Sequence, residues 1–130
     1  MGGDPMSHPY QYVVLKCVPR VDRGECLNVG VVLFSQSAGF LQAACHVDAE
    51  RLRCFAPDLD IDAVIASLAV VDDVCVGTDG GGRPQLATPG KRFGWLSAPR
   101  STVLQPSGVH GGTAEEPAAE LQALLDRLVR

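Results

Sequence analysis

Between Tyr10 and Cys45 short apolar runs alternate with charged or glycine-bearing turns, and that rhythm predicts three strands. Tyr10 to Val18 is rich in β-branched, aromatic and aliphatic residues and stops at Pro19, as a strand does. After the charged turn Arg20 to Glu25, Leu27 to Phe34 forms the second run, apolar at odd and even positions alike. A strand apolar on both faces belongs in the middle of a sheet. Gly30 inside that run predicts a bulge or the close approach of another backbone. Ser35 to Gly39 has hairpin length, and Phe40 to Cys45 returns as the third strand.

Helical spacing takes over next. Asp48 can cap a short helix ending near Phe55, with Pro57 blocking extension. Asp60 can cap a second helix, in which Ile61, Val64, Ile65 and Leu68 recur at i, i+3, i+4 and i+7 and should share one buried face. Val74 to Val76 reads as a short edge strand, Gly77 to Pro84 as a loop, and Ser101 to Gln105 as a further strand centred on Thr102, Val103 and Leu104. Near the C-terminus Thr113 and Glu116 have capping-box spacing, and Leu121, Leu124, Leu125, Leu128 and Val129 form one stripe. Pro117 is tolerated only in that helix's first turn.

These elements predict one α+β domain over residues 10–130, with a mostly antiparallel sheet of four or five strands and two or three packed helices. Early hairpins favour antiparallel pairing over βαβ winding. Met1 to Pro9, polar and rich in Gly and Pro, reads as a loose leader, and Met1 and Met6 both stand as natural starts. At 130 residues and 46% hydrophobic content, the chain can bury a core without staples.

Charge narrows the function classes. The net charge of −4 disfavours broad binding to nucleic acid or anionic membrane. The charges are also segregated. From Asp58 to Asp79 every charged side chain is acidic, and from Gly80 to Thr113 every one is basic: Arg83, Lys91, Arg92 and Arg100. Two solvated faces of opposite sign explain that pattern, and so does a local anion site on an acidic protein.

Cys17, Cys26, Cys45, Cys54 and Cys75 contain no CxxC pair and no metal-ligand spacing. Cys17, Cys45 and Cys75 lie in apolar runs, where a thiol behaves as a small hydrophobe. Reduced thiols, with no secretory segment and no membrane-length apolar stretch, point to a cytoplasmic protein. The Gly80 to Gly82 cluster leads into Arg83 and Pro84, not into the Gly-Lys-Ser/Thr that cradles phosphate. Neither a cofactor fingerprint, a metal site nor a nucleophile elbow emerges.

One constellation can carry chemistry. Arg20, Arg23 and Glu25 in the first turn, with Asn28 just beyond, are matched by Arg92, Trp95, Arg100, Ser101 and Thr102 in a second block, and His110 sits in a Gly-flanked loop. Arginine forks and hydroxyls suit carboxylate or phosphate, and Trp95 offers a stacking face. Each residue also has an ordinary structural use, such as an ion pair from Arg20 or Arg23 to Glu25.

The two blocks, Arg-Gly-Glu-Cys-Leu-Asn-Val-Gly-Val-Val-Leu-Phe from Arg23 and Phe-Gly-Trp-Leu-Ser-Ala-Pro-Arg-Ser-Thr from Phe93, resemble bacterial domain-of-unknown-function family 3037. The resemblance runs from Tyr10 to the last helix and brings no assigned activity. It implies a small stand-alone bacterial protein encoded near a HipA-like kinase. Two functions follow. The first is a non-enzymatic accessory or interaction module acting with a HipA-like kinase or another protein partner. The second is a small anion- or nucleotide-binding domain built on the constellation above, whose enzymatic form would use Glu25 as base and His110 as acid. A homodimer covering an exposed sheet edge is also expected.

Overall fold

The computed structural model describes residues 7–20, 23–77, 88–98 and 103–130. Its elements, in order, are β1 (His8–Cys17), β2 (Leu27–Ser35), β3 (Phe40–Cys45), α1 (Ala49–Phe55), α2 (Ile61–Val76), α3 (Pro89–Ser97), β4 (Leu104–Pro106), β5 (His110–Ala114) and α4 (Pro117–Leu128). The fold is α+β, as the pattern predicts, and among the described residues it comprises a five-stranded antiparallel sheet and four helices.

The strand order is β3-β2-β1, and the free side of β1 is shared between two short strands. Leu15 to Cys17 pair with β4, and His8 to Tyr12 pair with β5. Between them Val14 would lose its ladder partners. Ser107 supplies both: its Oγ accepts from Val14 N–H and its own N–H donates to the Val14 carbonyl, each at 2.8 Å. Val14 thus keeps both of its backbone groups paired between the two short strands.

β2 lies inside the sheet and buries side chains on both faces. Val29 and Val32 pack under α1, α2 and α3, with Val13, Leu15, Leu52, Leu68 and Phe93. Val31 and Leu33 pack under α4, with Tyr10, Leu121, Leu124 and Leu125. The pairing with β1 slips where Leu15 faces Gly30 and Lys16 faces Asn28, leaving Val29 as the extra residue of a bulge. Gly30 is needed beside it because a Cβ there would stand 2.9 Å from Cys45 Sγ and 3.1 Å from the Ala44 carbonyl. Both expectations for that glycine hold.

Asp48 and Asp60 cap α1 and α2, accepting from the backbone N–H of Arg51 and Ala63 at 3.1 Å each. Elsewhere the structure departs from the pattern. Val74 to Val76 are the last turn of α2, not an edge strand, and Gly77 closes the helix in the left-handed conformation at φ 89°. Extending the helix moves the buried face to Val64, Leu68, Val71, Val74 and Cys75, so Ile65 is outside it and 48% exposed. Pro89–Ser97 is a helix the pattern did not predict. His110 and Thr113 belong to β5 rather than to a loop and a cap, and α4 starts at Pro117 with Glu116 at the cap position making no capping side-chain hydrogen bond. β4 begins at Leu104, later than expected, and β1 begins at His8, inside the presumed leader.

Candidate functional site

The first-turn residues do gather around an opening. Arg20, Arg23 and Glu25, with Pro19 and Val103, face the α1–α2 linker across a cleft of about 450 Å³ whose other wall is Phe55 to Asp60. The turn is held by the Arg20 carbonyl, which accepts from Arg23 and Gly24 N–H at 3.2 Å, and Gly24 takes a φ of 70° there. Arg23 forms an ion pair with Glu25. Asp58 and Asp60 stand on the opposite wall, so the cleft presents three carboxylates to two guanidiniums.

The other candidate residues among the described ones lie elsewhere. Asn28 Nδ2 donates to the Leu128 carbonyl at 2.9 Å, and Arg51 Nη1 donates to the Val129 carbonyl at 3.3 Å. These donors satisfy two carbonyls left open at the end of α4. Arg92 rises from α3 against the end of α2, with Nη1 3.4 Å from where any Cβ at Gly77 would be. A cation suits that helix terminus. It also draws the Cys75 thiol down, against the larger effect of burial, which leaves that thiol pushed up to about 12. Trp95 packs at the edge of the core cluster containing Phe93 and Leu96, and Phe93 stacks on Phe34 with ring centres 5.4 Å apart. His110 stacks on Tyr12, ring centres 5.2 Å apart. Arg100, Ser101 and Thr102 lie outside the described residues.

Distances separate these groups. The cleft includes Asp60, the cap of α2, whereas Arg92 sits at Gly77, and a 16-residue helix spans about 24 Å. His110 is opposite Tyr12, while the cleft lies beyond Cys17, and five strand residues span about 17 Å. Glu25 and His110 are therefore too far apart to act as a base and acid on one substrate.

A surface that the sequence pattern did not single out is the outward side of α2. At about 100° per residue, Ile65, Ala69 and Val76 line up as an exposed apolar stripe. Asp72 falls on nearly the same line, about 20° from Ile65 and between Ala69 and Val76 along the axis, and Asp62 and Asp73 follow on the far side of Ala69. Ile65 is 48% and Val76 80% exposed. The signal was present: Gly77 as a helix stop would have extended the helix and turned Ile65 outward.

Among the described residues no helix is long and apolar enough to cross a membrane, and no His/Cys/Asp/Glu group could hold a metal ion. A family described as a protein of unknown function (DUF3037) matches residues 12–129. No curated protein and no solved structure matches the chain.

Proposed function

The chain belongs to the DUF3037 family, and from that premise and the geometry of α2 we propose that it is a non-enzymatic accessory module that binds another protein, a HipA-like kinase being the first partner to test. The observation that carries this reading is the apolar stripe on the open side of α2. α2 buries one face, Val64, Leu68, Val71, Val74 and Cys75, and still leaves Ile65 and Val76 exposed on the other. Exposed apolar surface rimmed by polar groups is a common feature of interaction sites.

The test mixes the purified chain with a HipA-like kinase and follows complex formation by size-exclusion chromatography and calorimetry at micromolar concentrations. A complex is expected for the wild type and its loss for Ile65→Glu, a half-exposed position where the fold tolerates a charge. No complex rules out this kinase. A complex indifferent to Ile65→Glu and Val76→Glu rules out α2 as the contact.

The cleft supports a second reading, a small anion or nucleotide site. Its volume, about 450 Å³, falls within the range of roughly 300–1,000 Å³ typical of small-molecule sites, and Arg20 and Arg23 line it. Glu25, Asp58 and Asp60 oppose a polyanion. Thermal denaturation with phosphate, nucleotides and small carboxylates decides: a ligand at about 100 times its dissociation constant stabilises by roughly 2.7 kcal/mol. Stabilisation lost in Arg23→Ala favours the site, and an unmoved midpoint with every anion removes it.

A further inference from the structure

We propose that the outer edge of β3 receives an extended segment of another protein, added antiparallel as a further strand and reading, from its N-terminal side, Lys or Arg, any residue, apolar, any residue, apolar. The inference deepens the interaction reading above and rests on it for a protein partner.

The backbone decides which groups are on offer. His46 N–H donates to the Val29 carbonyl at 2.9 Å, and His46 faces Val29 when the β2–β3 register is carried one pair past Gly30 and Cys45. Bonded pairs alternate along an antiparallel ladder, so Phe40, Gln42 and Ala44 turn their N–H and C=O towards β2. Leu41, Ala43 and Cys45 turn theirs outwards. β3 ends the strand order, and among the described residues no other strand takes up these groups. Natural edges are usually blunted by shortness, charge, Pro or a bulge. The opposite edge of this sheet is blunted, being split between the three-residue β4, with Pro106, and β5, with Gly111 and Gly112. Phe-Leu-Gln-Ala-Ala-Cys has no charge, Pro or Gly, and its pairing with β2 runs without a shift.

Side chains set what the added strand must carry. Leu41, Ala43 and Cys45 belong to the core cluster under α2 and α3, so residues opposite them lie on the α2 side of the sheet. Asp72 of α2 is near enough to Cys45 for its charge to push that thiol up. Burial, then the charge of Asp73, raises the Asp72 carboxyl itself. A cation opposite Cys45 would therefore stabilise an anion held at a cost. Opposite Ala43 and Leu41 the neighbours are apolar.

A second copy does not fit the same edge. α2 packs on β3 and scarcely touches β2, so it stands above the edge strand. Two copies joined β3 to β3 would set their strands about 4.8 Å apart, whereas two packed helices need about 8–10 Å. Two-fold pairing about Ala43 would also put Leu41, not a cation, opposite Cys45.

The experiment uses the full chain and the fluorescein-labelled peptide Thr-Lys-Thr-Val-Thr-Val-Thr, read by fluorescence anisotropy at low salt. The peptide should bind, and hydrogen exchange at the Leu41, Ala43 and Cys45 amides, fast in the free chain, should slow. Methylating the two Val nitrogens should abolish binding. Methylating the Thr nitrogen between them should not, because that N–H points away from β3. Ala43→Pro should abolish binding as well. The N–H it removes faces outwards, so the ladder to β2 stays whole, as Pro on an edge strand allows. Glu in place of the peptide's Lys should weaken binding about threefold or more, and Asp72→Asn should erase that difference. Failure to bind, binding that survives methylation of the Val nitrogens or Ala43→Pro, or equal affinity for the Lys and Glu peptides overturns the proposal. So does slow exchange of the Leu41, Ala43 and Cys45 amides in the free chain, which means that the edge is already covered. Self-association of the wild type, seen by light scattering and lost in Ala43→Pro, gives the edge to a second copy and overturns it too. No peptide arm contains the kinase, so loss of strand addition and loss of the kinase complex are read separately.

Discussion

Gly30→Ala probes the sheet at its tightest point. The new methyl would stand 2.9 Å from Cys45 Sγ, 3.1 Å from the Ala44 carbonyl oxygen and 3.3 Å from Leu15 Cδ1. Leu15 can rotate a little, but Ala44 is held opposite Val31 in the β2–β3 ladder, and Cys45 is packed against the same core. Overpacking a filled core costs about 1–3 kcal/mol, and alanine in place of glycine returns about 0.5–1 kcal/mol of backbone entropy. The variant should therefore lose roughly 0.5–2 kcal/mol of stability. Urea unfolding reads this directly. With a denaturant dependence of about 1–3 kcal/mol per molar, the midpoint should fall by a few tenths of a molar or more. Cys45→Ala removes the nearest obstacle, so the double variant should lose less than the sum of the two single losses, by about 0.5 kcal/mol or more, as residues in contact do. A Gly30→Ala midpoint at or above the wild-type value refutes the close-packing account. Strict additivity with Cys45→Ala moves the clash from the thiol to the Ala44 carbonyl.

Asn28→Ala should cost about 1 kcal/mol and, measured by hydrogen exchange, should loosen the last turn of α4 before any other element; uniform loosening would deny Asn28 its anchoring role. Thiol titration with a chromogenic disulfide should find the exposed Cys26 and Cys54 fast in the native protein, the half-buried Cys45 slower, and the buried Cys17 and Cys75 only after denaturation; a fast Cys17 or Cys75 contradicts the described packing. Stability should also fall in alkali. Burial, then the Glu120 carboxylate accepting the Tyr10 hydroxyl at 2.7 Å, pushes the Tyr10 phenol up to about 12. Burial, then the Asp72 charge, does the same to the Cys45 and Cys75 thiols. The folded state thus keeps protons that the unfolded chain sheds from about pH 9–10 upward, so the melting temperature should drop as pH rises from there towards 12. The drop should be shallower in Tyr10→Phe, and a melting temperature rising over that window contradicts the assignment.

Elements whose pattern is local were legible. β2 is apolar on both faces from Val29 to Phe34 because helices cover both of them, and Asp48 and Asp60 are caps that work within three residues of themselves. What stayed hidden depends on distant partners. β5, with the sequence His-Gly-Gly-Thr-Ala, has no alternation to betray it. It is a strand because β1 offers a ladder from His8 to Tyr12, and Gly112 is required because a Cβ there would meet the Tyr10 hydroxyl at 2.6 Å. That pairing also takes Thr113, opposite Pro9, out of the capping box its spacing suggested. The β-branched residues Val74 and Val76 favour a strand in isolation, but a helix already 13 residues long adds a hydrogen bond with each further residue. The start of α3 could have been read, since Thr88 caps it through the Lys91 N–H at 3.2 Å and Pro89 takes the first position.

The fate of the constellation follows from one physical fact: the side chains that bind ligands are also those that finish helix ends and stack on rings. Asn28 serves α4, Arg92 serves α2, and His110 lies on Tyr12. Their spacing in the sequence therefore reports how the domain is closed. Ile65, Ala69 and Val76 carry no such chemistry and give no motif, but no fold requirement accounts for them either. Replacing them with polar residues would leave the buried face of α2 intact and remove exposed apolar surface, which is why Ile65→Glu tests the interaction reading without disturbing the core. Among the described residues the large apolar side chains left exposed are Ile65 and Val76 on α2 and Val103 and Val109 on either side of β4, so the apolar residues outside the core are shared between two parts of the surface.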